Sequence, residues 1–348
     1  MSGWMIYGAT GYTGALIARE AASLGWSPVL AGRSALAVES LGKELGLPAR
    51  TILLDDPEAV AAGLEGITLV LNCAGPFSRT AEPLMRACIE KRVHYLDITG
   101  EIEIFELAHA FDAQAKAAGI VLCSGVGFDV IPTDCVAAML VSSLPEATHL
   151  ALGFEGATAP SPGTAKTMIE NLAAGGKIRR NGKIVSVPFG YGARTIDFGG
   201  GPTSAMAIPW GDVATAYYTT GIPNIVVYTG ATRSSIFFAR VLNAFRFLMK
   251  SKTVLRFLTK RIESSVRGPS ETALASGHTF VWGEVSDAAG RTHSLRLQTT
   301  NPYALTVHGA LAVVRRLQDG PAPAGSTTPA RLMGSSFVLG LPGTSLEA

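Results

Sequence analysis

The sequence predicts an α/β fold, with a doubly wound parallel sheet followed by a second domain of helices and mixed sheet. A glycine-rich turn at residues 8–14 joins an apolar strand to a helical stretch, and six short apolar runs alternate with helical patterns up to residue 127. Beyond residue 144, longer alternating strands take over. We therefore predict a Rossmann-type domain at 1–130, a second domain of α+β type at 131–304, and a C-terminal segment at 305–348 that packs back on the first domain.

Six strands and five helices are predicted in the first domain. The strands are Trp4–Gly8, Pro28–Gly32, Arg50–Leu54, Thr68–Cys73, Tyr95–Ile98 and Ile120–Ser124. The helices are Thr13–Leu24, Leu36–Leu45, Pro57–Gly63, Thr80–Lys91 and Ile102–Ala118. Several of the strands are continuously apolar, which is typical of parallel strands buried on both faces.

The second domain is predicted to begin after a helix at Pro132–Leu144. Its strands are Thr148–Glu155, Lys183–Val187, Ala205–Pro209, Ile222–Thr229, His278–Ser286 and His293–Thr299, with a hairpin loop at 287–291. Helices are predicted at Thr164–Ala174 and Leu305–Leu317, and a loop at 320–329 leads to an apolar tail, Met333–Leu341.

Composition excludes several classes of protein. The 348 residues include 39 glycines, 47% are hydrophobic and 16% are charged, so most of the chain is not disordered. A net charge of +2 provides no field for nucleic acid, and we predict no such partner.

The four cysteines lie in apolar runs without metal-site spacing, and the histidines form no close metal-binding pair. We therefore predict reduced packing cysteines, no metal, and a cytoplasmic protein. No targeting peptide fits the N-terminus, and no apolar run reaches the roughly 18 residues of a membrane helix.

The glycine-rich turn predicts a bound dinucleotide. Gly8 permits the tight turn, Gly11 leaves room for a pyrophosphate, and Gly14 lets the helix lie close to the sheet. Thr10, Tyr12 and Thr13 complete the motif, and the N–H groups of the first helical turn face the phosphates. The alternative, a purely structural turn, is disfavoured because six alternating elements follow.

The second strand ends at Arg33 and Ser34, where an NAD-specific protein places an acidic residue. A guanidinium beside a hydroxyl can bind the 2′-phosphate of NADP, so we favour NADP(H) over an ordinary solvated loop arginine. Asp55 and Asp56 follow the third strand, where one can accept a hydrogen bond from the adenine amine or cap the next helix.

Two further groups of residues are predicted at the carboxyl edge of the sheet. The fourth strand ends at Cys73, Ala74, Gly75 and Pro76, which we expect to border the cofactor. The fifth and sixth strands deliver acidic residues to the same edge, Asp97, Glu101 and Asp129, for which helix capping and loop bonding are the alternatives to a chemical role.

Together these segments resemble the saccharopine dehydrogenase-like oxidoreductases, a group that includes the trans-acting enoyl reductases. The resemblance is carried by Tyr7–Gly14, Ala31–Ser34, Asn72–Phe77, His94–Glu101 and Gly125–Asp134, with shorter pieces at Gly163–Thr164, Arg267–Pro269, Asn301–Thr306 and Thr328–Ala330. It implies an NAD(P)-binding domain, a second domain that shapes a substrate cleft, and hydride transfer. An enoyl or other apolar substrate is favoured over an amino acid, because the second domain is apolar and offers no obvious arginine pair for two carboxylates. The alternatives are a reductase of a C–N bond (imine or amino acid) of the saccharopine type and, from another class, a non-catalytic NADP-binding regulator or membrane-associated adaptor.

The sequence offers fewer candidates for catalytic residues than for cofactor-binding residues. No tyrosine is followed by lysine four residues later, which disfavours the mechanism of short-chain reductases. The remaining candidates for protonation or orientation of a substrate are Glu101 and Asp129 at the sheet edge, with Lys166 and Tyr303 from the second domain.

Residues 233–262 form a basic, apolar stretch. No acidic residue lies between Asp212 and Glu263, and Phe238, Leu242, Phe245 and Met249 have near-helical spacing. We favour a cover packed on the second sheet or at a homodimer interface, and the alternative is contact with an anionic membrane or an acyl carrier protein.

Overall fold

The structure is a computed structural model that describes residues 3–156, 175–245 and 277–347. These residues form two compact units. Unit 1 consists of Met1–Ile131 with Tyr303–Met333, and unit 2 consists of Pro132–Pro302 with Gly334–Ala348.

Unit 1 contains a seven-stranded sheet in the order β15-β6-β5-β4-β1-β2-β3. All neighbouring strands are parallel, which confirms the predicted doubly wound fold with its switch point between β1 and β4. The strands are β1 (Gly3–Tyr7), β2 (Val29–Gly32), β3 (Ala49–Thr51), β4 (Ile67–Asn72), β5 (His94–Asp97), β6 (Val121–Cys123) and β15 (Gly325–Thr327). Apolar side chains of the central strands, Met5 and Val70 among them, are fully buried between the helical layers.

The helices of the first 131 residues match the predicted ones with two differences. They are α1 (Tyr12–Ser23), α2 (Ala35–Leu45), α3 (Pro57–Gly63), α4 (Phe77–Lys91), α5 (Ile102–Ala110) and α6 (Asp112–Ala118). The single helix predicted at 102–118 is divided at Phe111, whose side chain packs in the core. Helix α4 begins at Phe77 because Glu101, distant in sequence, caps its first turn.

The predicted loop at 320–329 is wrong in part. Gly325–Thr327 forms β15, which pairs in parallel with β6 and extends the first sheet. The Asp112 carboxylate accepts a hydrogen bond from the Ser326 amide at 2.9 Å and fixes this strand. Three residues are too few for a periodic signal, so the strand depends on the free edge of β6.

Unit 2 contains a mixed sheet in the order β10-β11-β12-β7-β13-β14-β16, with β8 pairing with β12 and β9. Its strands are β7 (His149–Glu155), β8 (Gly176–Arg180), β9 (Lys183–Val187), β10 (Arg194–Asp197), β11 (Pro202–Ala207), β12 (Asn224–Gly230), β13 (His278–Ser286), β14 (Thr292–Thr300) and β16 (Ser345–Glu347).

The remaining described helices are α7 (Ile131–Ser143), α8 (Asp212–Thr220), α9 (Arg233–Leu242), α10 (Pro302–Asp319) and α11 (Pro329–Met333). Short 3₁₀ turns occur at Asn243–Phe245 and Phe337–Gly340. The hairpin between β13 and β14 is confirmed.

The C-terminal segment divides between the units. Helix α10 belongs to unit 1 from Tyr303 onward, as predicted for 305–348, whereas residues 334–348 belong to unit 2. The prediction is wrong for this tail because Ser345–Glu347 pairs antiparallel with the open edge of β14. The predicted helix 164–174 lies outside the described residues. Strands β8, β10 and β16 and helix α8 were not predicted, since their side chains lack a clear period of two or 3.6.

Candidate functional site

The predicted cofactor residues follow four adjacent strands of the parallel sheet. In sheet order these strands are β4, β1, β2 and β3, so their carboxyl ends meet at one edge. The residues concerned are Gly8, Thr10, Gly11, Tyr12, Thr13 and Gly14 after β1, Arg33 and Ser34 after β2, Asp55 after β3, and Cys73, Ala74, Gly75 and Pro76 after β4. The fold thus brings together every cofactor residue that the sequence predicts.

The turn after β1 has no room for side chains at two of its glycines. Gly8 has a positive φ of 80°, and a Cβ there would stand 2.7 Å from the Ala74 nitrogen. A Cβ on Gly14 would collide with the Gly8 carbonyl oxygen. The turn therefore places bare backbone beside the end of β4, as the sequence predicts.

Helix α1 begins directly after this turn. The Gly11 amide donates to the Gly8 carbonyl at 3.0 Å, and Gly11 has no side chain to cap the helix. The N-terminal amides and the positive end of the helix dipole can therefore bind a phosphate from the side where Thr10 and Gly11 are exposed.

Arg33 and Ser34 have different positions after β2. The Ser34 hydroxyl accepts a hydrogen bond from the Ala37 amide at 3.4 Å and caps helix α2. The Arg33 side chain is exposed and makes no hydrogen bond or ion pair with the residues that the structure describes. Arg33 lies near enough to the Tyr7 phenol to lower its pKa, although burial, the larger effect, raises the pKa of Tyr7. An accessible guanidinium therefore stands at the end of β2.

The two aspartates after β3 are distinguished by the structure. Asp56 caps helix α3 by accepting from the Glu58 amide at 3.0 Å and the Ala59 amide at 3.2 Å. Asp55 is exposed beside it and acts on the same Tyr7 phenol in the opposite sense to Arg33. Asp55 thus remains the candidate for an adenine contact, and Asp56 has the capping role.

A buried amide organises the turn after β4. The Asn72 side chain accepts from the Ala74 amide at 3.0 Å and donates to the Tyr95 phenol at 3.1 Å and the Thr80 hydroxyl at 3.2 Å. The Thr80 hydroxyl in turn donates to the Ala74 carbonyl at 2.6 Å. These bonds hold Cys73–Pro76 against the glycine turn. Asn72 appeared in the sequence only as part of a motif, and its position at the end of a buried strand was the signal for this role.

The carboxylate of Asp97 joins the ends of β5 and β6. It accepts from the Gly125 amide at 2.9 Å, the Thr99 amide at 3.1 Å and the Ser124 hydroxyl at 2.9 Å. Burial raises the pKa of Asp97 to about 6, and these hydrogen bonds oppose the shift. Asp97 therefore positions the loop after β6, the loop-bonding alternative for this residue.

Glu101 is also used in hydrogen bonding within the fold. It is 6% exposed, and its two carboxylate oxygens accept from the Phe77 and Ser78 amides, each at 2.9 Å. The geometry is that of a helix cap supplied by a residue outside the helix. This arrangement supports the capping alternative for Glu101 rather than proton transfer.

Asp129 lies in the loop after β6 and is partly buried. A Cβ on Gly100 would stand 2.7 Å from the Asp129 carboxylate, so the turn after β5 makes room for this carboxyl group only because it has no side chain there. Desolvation raises the pKa of Asp129 to about 7. A carboxyl group at the sheet edge that titrates near neutrality can give or take a proton.

Tyr303 was expected to belong to the second domain, and the structure places it in unit 1. Its ring packs edge-to-face against that of Tyr12, with centroids 5.1 Å apart. Three residues on in helix α10, the Thr306 hydroxyl accepts from the Phe128 amide at 3.0 Å. Helix α10 therefore joins the glycine turn to the loop after β6, a long-range packing that the sequence pattern did not reveal. Lys166 lies outside the described residues.

Within the described parts of the chain, no cluster of histidine, cysteine, aspartate and glutamate side chains has the geometry of a metal site. The described helices include none with the length and hydropathy needed to span a membrane.

Comparison with known proteins finds relatives of the first unit. Residues 4–123 match the family described as the saccharopine dehydrogenase NADP-binding domain. A mouse protein named saccharopine dehydrogenase-like oxidoreductase is 32% identical over 152 residues, covering 37% of this chain and 35% of its own length. A Mycobacterium tuberculosis protein provisionally named a trans-acting enoyl reductase is 33% identical over 138 residues, covering 37% of this chain and 33% of its own length. The matched part is thus about a third of these relatives.

The likeness in fold extends further than the likeness in sequence. Apo saccharopine dehydrogenase (L-Glu forming) from Saccharomyces cerevisiae superposes with a TM-score of 0.63 at 12% identity, covering 97% of this chain and 95% of that one. This match confirms the two-part architecture. The chain is therefore a protein of the doubly wound α/β class with a second, mixed-sheet unit. More particularly, its residues 4–123 are similar to the saccharopine dehydrogenase NADP-binding domain family, which confirms the resemblance inferred from the sequence motifs.

Proposed function

We propose that the protein is an NADP(H)-dependent oxidoreductase that transfers hydride to or from an organic substrate. One observation carries this proposal: the glycine-rich turn after β1 and the exposed guanidinium of Arg33 lie at the ends of adjacent parallel strands. The first suits a diphosphate and the second suits a 2′-phosphate. A domain family described as NADP-binding supports the same cofactor.

The residues of the sheet edge fit this cofactor. The Gly8–Gly14 turn and the start of α1 would hold the diphosphate, and Arg33 would bind the 2′-phosphate. Residues 73–76, held by Asn72, would border the ring system. When bound, the nicotinamide supplies or accepts the hydride. Tyr303, packed on Tyr12, would position the turn rather than transfer a proton.

Reduction of a carbon–carbon or carbon–nitrogen double bond consumes a hydride and a proton, and the protein must supply the proton. Among the acidic candidates, Asp97 and Glu101 are used by backbone amides. Asp129, with its pKa raised to about 7 by desolvation, is partly protonated at neutral pH and is the proposed proton donor.

The described part of unit 2 favours an apolar substrate over a dicarboxylic amino acid. Arg194 contacts Glu284 at 3.0 Å, and Arg296 contacts Asp197 at 3.3 Å, so both guanidinium groups already have a carboxylate partner. A dicarboxylate would have to displace these acids. We therefore propose an enoyl or similar apolar substrate. The four cysteines are buried and free, which supports the proposed cytoplasmic location.

Turnover of NADPH tests the proposed activity. Purified protein with NADPH is mixed with enoyl thioesters, with cyclic imines and with no substrate, and nicotinamide absorbance is followed. Faster loss with enoyl compounds supports the proposal, and loss with imines alone would instead favour action on a C–N bond. Asp129→Asn should slow turnover by about 100-fold without weakening NADPH binding. Binding without turnover on either panel would contradict an enzymatic role and favour an NADP-binding regulator.

A further inference from the structure

Helix α9 is anchored to unit 2 along one face. Ile236 is 8% exposed and forms the buried contact of the helix. Directly after the helix, the Asn243 side chain accepts from the Phe189 amide at 2.9 Å and donates to the Phe189 carbonyl at 3.1 Å. These contacts fix the orientation of the helix.

The opposite face of α9 is apolar and exposed. At 100° per residue, Phe237, Phe238 and Val241 lie away from Ile236. Their exposed fractions are 63%, 67% and 41%, and the two phenylalanine rings form an edge-to-face pair with centroids 5.9 Å apart. The sequence favoured a cover packed on the second sheet or at a homodimer interface. The exposed Phe238 is not packed on the sheet, and the homodimer interface stays a prediction. Of the rest of the predicted apolar face, Leu242 is half-buried, and the side chains of Phe245 and Met249 lie outside the described part.

Cations accompany this aromatic face. Arg233 and Arg240 are exposed and lie on the helix between Ile236 and Phe237, where the Arg240 side chain passes close to Gly190. The stretch from Val213 to Ile262 contains no acidic residue, and its arginines and lysines are Arg233, Arg240, Arg246, Lys250, Lys252, Arg256, Lys260 and Arg261. Aromatic side chains on one helical face with cations beside them form the pattern of helices that lie in a membrane interface.

We propose that α9 is a peripheral contact with an anionic lipid bilayer, in which Phe237 and Phe238 enter the headgroup–acyl boundary and Arg233 and Arg240 bind lipid phosphates. A second copy of the chain would be a poorer occupant, since a two-fold contact through this face would oppose the cations with their own copies. An acidic carrier protein would match the cations but would leave the aromatic pair without a deep apolar phase. The proposal is independent of hydride transfer.

Vesicle flotation of the full-length protein tests this surface. Vesicles of phosphatidylcholine with one-third phosphatidylglycerol are compared with pure phosphatidylcholine, at low and high salt. We expect flotation with the anionic vesicles only, and salt should weaken it. The double variant Phe237→Ser/Phe238→Ser should lower vesicle affinity about tenfold or more, and Arg233→Gln/Arg240→Gln by a similar factor.

The matched controls are Leu36→Ser and Arg315→Gln. Leu36 is an exposed leucine on α2, and Arg315 is a highly exposed arginine on α10. Both controls should float like the unaltered protein, and far-ultraviolet circular dichroism verifies folding of all variants. The proposal is overturned if the protein fails to float, if it floats equally on neutral vesicles, or if the phenylalanine variant floats unchanged. It is also overturned if light scattering shows a dimer that this variant dissociates, since the face would then bind a second copy.

Discussion

At the ends of β1 and β2, the sheet edge carries bare backbone and one exposed cation, whereas at the ends of β5 and β6 it carries three carboxyl groups. We call these regions the phosphate end (residues 8–14, 33 and 34) and the carboxylate end (Asp97, Glu101 and Asp129). At the phosphate end, Arg33 has no partner among the described residues. At the carboxylate end, Asp97 and Glu101 together accept bonds from four backbone amides.

This difference indicates that the two ends of the sheet edge suit different roles, anion binding at one and the fixing of loops at the other. An open, positive end can bind an external anion through the N-terminal end of helix α1 and the exposed guanidinium of Arg33. A carboxylate end whose acceptors are largely used can hold the loops after β5 and β6 rigidly, with Asp129 as the carboxyl group whose pKa approaches neutrality. Substitutions at the two ends should therefore impair different properties of the protein.

The largest effect is expected for Gly8→Ala at the phosphate end. The new methyl group would meet the Ala74 backbone at 2.7 Å, in addition to the strain of a positive φ. We expect NADPH affinity to fall by more than about 100-fold, because both the turn and residues 73–76 must move. Gly25→Ala is the matched control: Gly25 has a φ of +73° and no atom within 4 Å, so that variant bears the backbone strain alone. Equal NADPH affinities for the two variants, measured by fluorescence titration, would contradict the close packing of this turn.

Asp97→Asn should affect stability more than cofactor binding. An amide presents one acceptor oxygen where the carboxylate presents two, so at least one buried donor among Thr99, Ser124 and Gly125 loses its partner. The expected cost is about 1–3 kcal/mol in the free energy of unfolding, measured in urea. The control Asp56→Asn alters an exposed helix cap, where asparagine is about as good as aspartate, and should change stability little. If Asp97→Asn leaves the free energy of unfolding unchanged, the hydrogen bonds around Asp97 are not needed for stability.

In protein stability, apart from the loss of turnover, Asp129→Asn should produce the smallest effect, visible as a pH dependence. A carboxyl group whose folded pKa is about 7, above the ordinary value of 3.8, holds its proton more tightly in the folded state. Its contribution to stability is therefore full at low pH and is lost as pH rises towards 7. We expect the thermal midpoint of Asp129→Asn to rise relative to the unaltered protein between about pH 4 and 7, and to stay level above that range. A difference that does not vary with pH would contradict the raised pKa.

Sequence reasoning located the phosphate end because its rules are local. Gly8, Gly11 and Gly14 lie within one turn, and Arg33 follows directly after a strand. The carboxylate end depends on bonds between residues far apart, such as Phe77 with Glu101 and Phe128 with Thr306, which are separated by 24 and 178 positions. Spacing indicated that these acids reach the sheet edge, but it could not distinguish a cap from a proton donor.

The same contrast between local signals and long-range contacts distinguishes the two sheets. In the first, alternation of strand and helix predicted the fold, and only β15 was missed because its three residues depend on the edge of β6. In the second, the hairpin at 287–291 was predicted from its turn residues. Strands β8, β10 and β16 were missed because their pairing partners, rather than their own patterns, define them.

Titration of NADPH and NADH into the unaltered protein and Arg33→Ala tests the central claim most directly. We expect the unaltered protein to prefer NADPH. Arg33→Ala should weaken NADPH binding by about 10- to 100-fold, since a charge-assisted contact contributes about 1.5–3 kcal/mol, and should leave NADH binding unchanged. Arg315→Ala, a distant and exposed arginine, should change neither affinity. Folded protein that binds neither nucleotide, or an Arg33→Ala variant that loses both equally, would contradict an NADP site at this edge of the sheet.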